Sequence, residues 1–184
     1  MTVRLTLLAP APGPALRQAR IDADGPLDEA GRRAARAAAP GLPAAGRHLS
    51  APSRRCRETA EALGLDAVTE TALSDLDLGS WRGRTLDELA AAEPAAVAAW
   101  TTDPAAAPHG GESVLDLCRR VSHWLDRLPD DTGRVLAVAD ASVARAAVLH
   151  ALTAPPQAFW RIDVPPLGRV LLTGRADRWN LRME

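Results

Sequence analysis

The sequence contains no lysine and no tyrosine, and it has one phenylalanine and two cysteines among its 184 residues. Cys56 and Cys118 are too far apart for a metal-binding pair and too few for a disulfide framework. Their scarcity fits a reducing cytoplasm, which is where we expect the protein to reside. All 22 basic residues are arginine, and we interpret this bias, together with the abundant alanine and proline, as the result of a GC-rich coding sequence.

Excess positive charge and long apolar runs are also absent. A net charge of −1 and a pI near 6.4 provide no basic surface, so we expect neither nucleic acid nor an anionic membrane as a partner. No apolar run approaches the length of a transmembrane helix, and the run within the first ten residues is too short for a signal peptide. The length and the 47% hydrophobic content predict a single domain over residues 1–184.

Reactive side chains are missing at the end of the first predicted strand. Residues 3–8 form a short apolar run, which is typical of a buried strand in an α/β sheet. The ends of such strands commonly carry the functional site. Here the strand ends in Ala9, Pro10 and Ala11, which supply no nucleophile, acid or base, and residues 3–25 contain no histidine.

Strands and helices are predicted to alternate along the chain. Asp28 and Thr85 stand where helix N-caps are expected, and the apolar positions of residues 113–128 keep helical spacing. This alternation favours an α/β fold with a mainly parallel sheet flanked by helices on both faces. We predict strands over residues 3–8, 47–51, 68–73, 134–139, 161–164, 169–172 and 178–181, and helices over residues 28–40, 53–63, 86–92, 94–100, 113–128 and 141–153.

Several ordered segments resemble the histidine phosphatase superfamily, which has the phosphoglycerate-mutase-like fold. The resemblance covers nearly the whole chain, and it implies that fold. The segments are, in order, PLDEAGRRAA, SAPSRRCRETAEALGL, LSDLDLGSWRGRTLDEL, PHGGES, VLAVADASVARAAVLHAL and FWRIDV.

The residues that the resemblance assigns to catalysis are largely replaced. In that family a strand-end Arg-His-Gly supplies an arginine and the histidine nucleophile, and a second histidine follows the late buried strand. Pro10 stands at the nucleophile position, and Asp140 replaces the second histidine. Arg55 matches the family's helix arginine, and Asp75 stands where its acid is usually glutamate. The chain is therefore identified as a divergent member that lacks both catalytic histidines.

Elementary chemistry leads to the same expectation. The amide nitrogen of Pro10 is neither basic nor nucleophilic, whereas a phosphohistidine mechanism needs an unprotonated imidazole. Arg55 supplies one positive charge against the carboxylates of Asp75 and Asp140, so a phosphate dianion would meet net repulsion. We therefore predict no phosphatase or mutase catalysis and assign no residue to it.

The remaining polar residues near the predicted cleft have structural and functional interpretations. As ligand-binding candidates we take Arg55, Asp75, Trp81, Glu112 and Ser142. The structural alternatives are an ion pair from Arg55 to Asp140 or to Asp75, an N-cap role for Asp140, and turn formation by Asp75 and Asp77.

His109 is the one histidine that we expect to border the cleft. With Asp75, Asp140 and Glu112 it would offer nitrogen and oxygen ligands for a divalent cation, or it would serve as a relocated base. The structural alternative is an exposed loop histidine. We predict no cofactor and no resident metal.

Three functional hypotheses follow from the sequence. The first is a catalytically inactive binding or regulatory module that holds a small anionic ligand or a divalent cation in its cleft. The second is a phosphatase-like hydrolase with a rebuilt active site that uses Asp140 or His109, with or without a metal ion. The third is a structural partner protein, for example a homo-oligomer.

Overall fold

A six-stranded mixed sheet forms the centre of the protein. The computed structural model describes residues 2–21, 24–175 and 178–183. The order of the strands across the sheet is β3-β2-β4-β1-β5-β6. The strands are β1 (Val3–Leu8), β2 (Arg47–Ser50), β3 (Val68–Thr69), β4 (Arg134–Val138), β5 (Arg169–Arg175) and β6 (Arg178–Arg182).

Five strands of the sheet run in one direction, and β5 alone of the described strands runs against them. Strands β1 to β4 pair in parallel, whereas β5 pairs antiparallel with both β1 and β6. Consecutive residues of β1 and β4 are buried, including Leu7, Leu8, Ala137 and Val138. Because successive side chains of a strand point to opposite faces, both faces of the central sheet are covered. The α/β fold with a mainly parallel sheet is confirmed.

Among the described residues seven α-helices flank the sheet, and two of them begin at the N-caps that the sequence predicts, Asp28 and Thr85. The Asp28 side chain accepts a hydrogen bond from Gly31 N at 2.8 Å, and Thr85 forms a capping box with Glu88. None of these helices is both long and apolar enough to cross a membrane within the described residues. The helices are α1 (Pro14–Arg17), α2 (Glu29–Ala38), α3 (Arg54–Ala62), α4 (Leu86–Ala92), α5 (Pro94–Thr102), α6 (Val114–Asp126) and α7 (Ala141–Leu152).

Two predicted strands differ from the structure. Residues 161–164 do not form a strand: a 3₁₀-helix over Pro156–Arg161 precedes them, and Pro165 and Pro166 follow. Proline lacks the backbone N–H that a strand ladder needs, so this segment cannot extend into the sheet. The predicted strand 68–73 ends at Thr69, because the Glu70 side chain accepts from Ala72 N and begins a 3₁₀-turn.

Candidate functional site

A cleft of about 570 Å³ opens where β2 and β4 end. Ser53 and Arg55 come from the start of α3, which follows β2, and Asp140 and Ser142 come from the start of α7, which follows β4. A cleft at the carboxyl ends of parallel strands is the expected position for a ligand site in an α/β fold. The loop that carries Asp75 is the third segment of the chain that lines this cleft.

An ion pair between Arg55 and Asp140 occupies one end of the cleft. Asp140 is 2% exposed, and its carboxylate accepts hydrogen bonds from Arg55 Nη2, from Ser53 Oγ at 3.2 Å and from Cys56 Sγ at 3.3 Å. Ser53 is also the N-cap of α3, so the carboxylate lies at the positive end of that helix. The predicted ion pair is confirmed.

Asp140 occupies the N-cap position of α7, as predicted. Its side chain, however, accepts no hydrogen bond from the first turn of that helix. The carboxylate binds Arg55 and the α3 terminus instead. Leaving the half-buried guanidinium of Arg55 without a counter-charge costs more free energy than leaving the helix end without one extra acceptor. The Asp140 carboxylate therefore binds Arg55.

Cys56 is a buried core residue, as predicted, and it also contacts the ion pair. Burial raises the pKa of its thiol well above the ordinary value, and the negative charge of Asp140 raises it further. The thiol therefore stays protonated and can donate its hydrogen to the Asp140 carboxylate.

Asp75 and Ser142 form a second polar contact beside this pair. Ser142 Oγ donates to Asp75 Oδ1, and the same oxygen accepts from Leu76 N at 2.8 Å. Burial is the main reason why the pKa of Asp75 rises to about 7, and the neighbouring charge of Asp140 adds to the effect. Near neutral pH the Asp75 carboxyl is therefore partly protonated, which reduces the negative charge of the cleft.

Pro10 is buried and does not line the cleft. The carbonyls of Ala9 and Pro10 accept from Leu167 N, and Ala11 N donates to Thr59 Oγ1 at 3.1 Å. The backbone at the end of β1 is thus bonded to two other segments. At the position that the family resemblance assigns to the nucleophile, the cleft receives no reactive side chain.

Trp81 lies under the cleft rather than in its wall. It is fully buried, its ring centroid lies 5.4 Å from that of Trp100, and its Nε1 donates to the Glu93 carboxylate at 3.3 Å. The predicted position of Trp81 at the cleft surface is therefore wrong. Trp100 and Trp160 line the cleft in its place.

His109 is buried beside Trp81 and does not reach the cleft. Its side chain is 2% exposed, its Nδ1 accepts from Gly111 N at 3.1 Å, and burial lowers its pKa. The expectation of an exposed histidine and that of a cleft ligand are both wrong. Within the described ranges, no group of three or more histidine, cysteine or acidic residues is arranged to hold a metal ion.

Glu112 lies outside the cleft and fixes one of its loops. Its two carboxylate oxygens accept from Arg120 Nε at 2.9 Å and Arg120 Nη2 at 2.7 Å. Arg120 Nη1 also donates to the carbonyls of Ala72 and Ser74, next to Asp75. Glu112 therefore positions the Asp75 loop through Arg120, and its contact with a ligand stays a prediction.

Arg145 and the aromatic pair Phe159 and Trp160 are cleft residues that sequence analysis missed. Arg145 Nε donates to Ile162 O at 2.7 Å, and its Cζ lies 5.6 Å from the Phe159 ring centroid and 5.7 Å from that of Trp160. The sequence did contain a signal for this aromatic pair. Aromatic residues are scarce in the chain, with one phenylalanine and five tryptophans, yet two of them are adjacent in the FWRIDV segment.

The comparisons with known proteins agree with this fold. A family model described as "Histidine phosphatase superfamily (branch 1)" matches residues 14–183. The "Bifunctional protein" of Mycobacterium tuberculosis is 38% identical over 84 residues, which are 44% of this chain and 23% of that protein. The "Glucosyl-3-phosphoglycerate phosphatase" of Mycolicibacterium vanbaalenii is 40% identical over 111 residues, or 56% of this chain and 48% of the relative.

A solved structure extends the similarity over the whole fold. The mycobacterial glucosyl-3-phosphoglycerate phosphatase complexed with VO3 has a TM-score of 0.84 and 29% identity, and the superposition covers 97% of this chain and 96% of that one. By contrast, the alignments to the two curated relatives span less than half of each relative's length.

Proposed function

The chain belongs to the histidine phosphatase superfamily, and we propose from that premise that it is a non-catalytic member that binds a small ligand in its cleft. The observation that carries the proposal is the position of the Asp140 carboxylate. It lies on Arg55 at the N-terminus of α3, where a helix end and a guanidinium together would otherwise attract an external oxyanion.

An internal carboxylate changes the electrostatics of this end of the cleft. A phosphate that approached Arg55 would have to displace Asp140 or accept its negative charge at close range, and Asp75 adds a second carboxyl group. Both effects oppose the binding of a dianion. They support a cleft whose charged end no longer serves phosphate transfer.

The absence of a nucleophile supports the same proposal. Catalysis through a phosphoenzyme needs a nucleophilic side chain beside the phosphorus atom, with donors on the phosphate oxygens. Pro10 offers neither, and the buried His109 lies away from the cleft. The rebuilt hydrolase that uses His109 therefore has no geometric support.

A phosphate ester assay tests the proposal directly. We expect the purified protein to release no more 4-nitrophenol from 4-nitrophenyl phosphate than the Arg55→Ala variant does. Turnover that survives repeated purification and disappears in Arg55→Ala would overturn the proposal. Arg119→Gln, which changes an exposed arginine of α6, is the matched control for the loss of one arginine.

Removal of Asp140 tests the role assigned to its carboxylate. We expect phosphate or vanadate to leave the melting temperature of the wild-type protein unchanged and to raise that of Asp140→Ala. A site filled at about a hundred times its Kd stabilises a protein by about 2.7 kcal/mol, which a thermal shift readily detects. A shift of the wild-type protein through Arg55 would contradict the proposal.

A phosphatase is the second candidate function, because two of the relatives and solved neighbours carry that activity in their names. Asp75 would then be the proton donor, since its raised pKa keeps part of it protonated near neutral pH. Turnover that Asp75→Asn abolishes would favour this candidate. A homo-oligomer and a cytoplasmic location stay predictions, the first measurable by light scattering.

A further inference from the structure

Arg145 differs from the other arginines that line the cleft. Arg55 pairs with Asp140, Arg82 with Asp77 at 3.0 Å, and Arg20 with Glu88 at 3.5 Å. Arg145 makes no ion pair with any carboxylate in the part of the chain that the structure describes. Asp163 and Asp75 act on it only at longer range. Its guanidinium is thus the cleft's cation without a close counter-charge among these residues.

The contacts of Arg145 leave part of its guanidinium available. Its Nε donates to Ile162 O, and its Cζ lies over the rings of Phe159 and Trp160. The two terminal nitrogens carry hydrogen-bond donors that these contacts do not use, and they are not among the buried unbonded atoms of the described residues. Desolvation lowers the pKa of Arg145, which is the cost of holding this charge against aromatic rings.

A flat apolar surface adjoins this cation. Trp160 is 36% exposed, which is unusual for so large an apolar side chain, and its ring centroid lies 4.3 Å from that of Trp100 and 4.9 Å from that of Phe159. Its neighbours hold the indole in place, so little entropy is lost when a second ring packs on it.

We propose that the cleft binds a small monocarboxylate with a flat apolar body, whose carboxylate pairs with Arg145 and whose body packs on Trp160. This inference rests on the proposed ligand-binding function, and it names the ligand class. A guanidinium binds a carboxylate through two parallel hydrogen bonds, and burial beside aromatic rings strengthens such a pair. A volume of about 570 Å³ suits a ligand of this size.

Charge distinguishes this ligand from a phosphate ester. One unpaired guanidinium balances one negative charge, whereas a dianion would leave an excess charge facing Asp140 and Asp75. The same cleft therefore favours a carboxylate over a phosphate on an identical apolar body. A neutral amide of the same shape would leave Arg145 without its counter-charge.

Isothermal titration with three matched probes tests the inference. The probes are 3-phenylpropionate, its neutral amide 3-phenylpropionamide, and 2-phenylethylphosphonate, all at one ionic strength and at a pH alkaline enough to make the phosphonate a dianion. We expect the wild-type protein to bind the carboxylate at least about tenfold more tightly than either other probe. We expect Arg145→Gln to lose this preference, and the exposed control Arg119→Gln to keep it.

Trp160→Ala gives a second test that does not remove the buried charge. We expect it to weaken 3-phenylpropionate binding about tenfold, because the ring loses its apolar partner. The inference would be overturned if the carboxylate did not bind at millimolar concentration, if the amide bound equally well, or if the phosphonate bound more tightly. A folded Arg145→Gln variant that binds 3-phenylpropionate normally would also overturn it.

The phosphate ester assay on the same preparation separates the two proposals. Turnover combined with Arg145-dependent carboxylate binding would overturn only the proposed lack of catalysis. No turnover together with no carboxylate binding would overturn only the ligand class named above.

Discussion

The two ends of the cleft treat buried charge in different ways. At the charged end Arg55 meets the Asp140 carboxylate, and Asp75 meets the Ser142 hydroxyl. At the aromatic end Arg145 meets the rings of Phe159 and Trp160. The charged end is thus satisfied by the protein itself, whereas the aromatic end leaves a cation and a flat surface for an external partner. Recognition is expected at the second end.

The largest effect is expected beneath the aromatic end, where Trp81 supports Trp100. Trp81→Ala should lower the free energy of unfolding by about 3–5 kcal/mol, because it removes a fully buried indole and its ring contacts. Urea denaturation measures this loss. Leu86→Ala, at an exposed apolar residue of α4, is the control and should change stability by less than about 1 kcal/mol. If Trp81→Ala lowered the free energy of unfolding by no more than Leu86→Ala does, the assignment of Trp81 to the core would be contradicted.

The next effect concerns the charged end. Asp140→Ala should cost about 3 kcal/mol, since it removes the carboxylate that Arg55, Ser53 and Cys56 all contact. Arg36→Ala breaks the exposed ion pair with Glu29 and should cost less than about 1 kcal/mol in the same urea titration. Equal losses in the two variants would show that burial does not strengthen the Arg55–Asp140 contact.

Local signals made much of the fold predictable. Asp28, Thr85 and Ser113 all cap helices, because capping depends on neighbours within a few residues of the same chain. The apolar spacing of α6 and the unbroken apolar run of β4 likewise predict their buried positions. The failed strand at residues 161–164 shows the opposite case, in which the prolines that follow outweigh local strand preference.

The candidate site was less predictable, because side-chain direction depends on tertiary contacts. The motif that contains Trp81 was recognised, but its direction was not, since the packing of Trp100 and His109 decides which ring is buried. Arg145 lies on a helix with few polar residues, and its role emerges only when the 3₁₀-helix Pro156–Arg161 brings two aromatic rings to it. The Arg55–Asp140 pair was found because an arginine in a cleft needs a counter-charge.

A pH-dependent effect sharpens the contrast at the charged end. The pKa of Asp75 is about 7 in the folded protein, against an ordinary value of 3.8 for aspartate. Between these pH values the folded state therefore holds a proton that the unfolded state has lost. Wild-type stability should therefore fall as pH rises from about 4 through about 7. Asp75→Asn keeps the acceptor for Ser142 and Leu76 but does not titrate, so its stability relative to wild type should increase over that range.

Thermal melts at pH 5 and pH 8 check this sign. Leu86→Ala, which removes no titratable group, is the control, and its difference from wild type should stay constant. A difference for Asp75→Asn that is equal at the two pH values would show that Asp75 titrates normally and that the charged end is better solvated than its geometry indicates.

The smallest effect on stability is expected at Trp160, and it separates a ligand surface from a core. Trp160→Ala should lower the free energy of unfolding by clearly less than Trp81→Ala does, because the indole is 36% exposed and Phe159 remains buried beneath it. The same substitution should weaken 3-phenylpropionate binding, so urea denaturation and calorimetry would report different consequences of one change. If Trp160→Ala instead destabilised the protein as much as Trp81→Ala, the aromatic end would be a continuation of the core, and the comparison between the two ends of the cleft would fail.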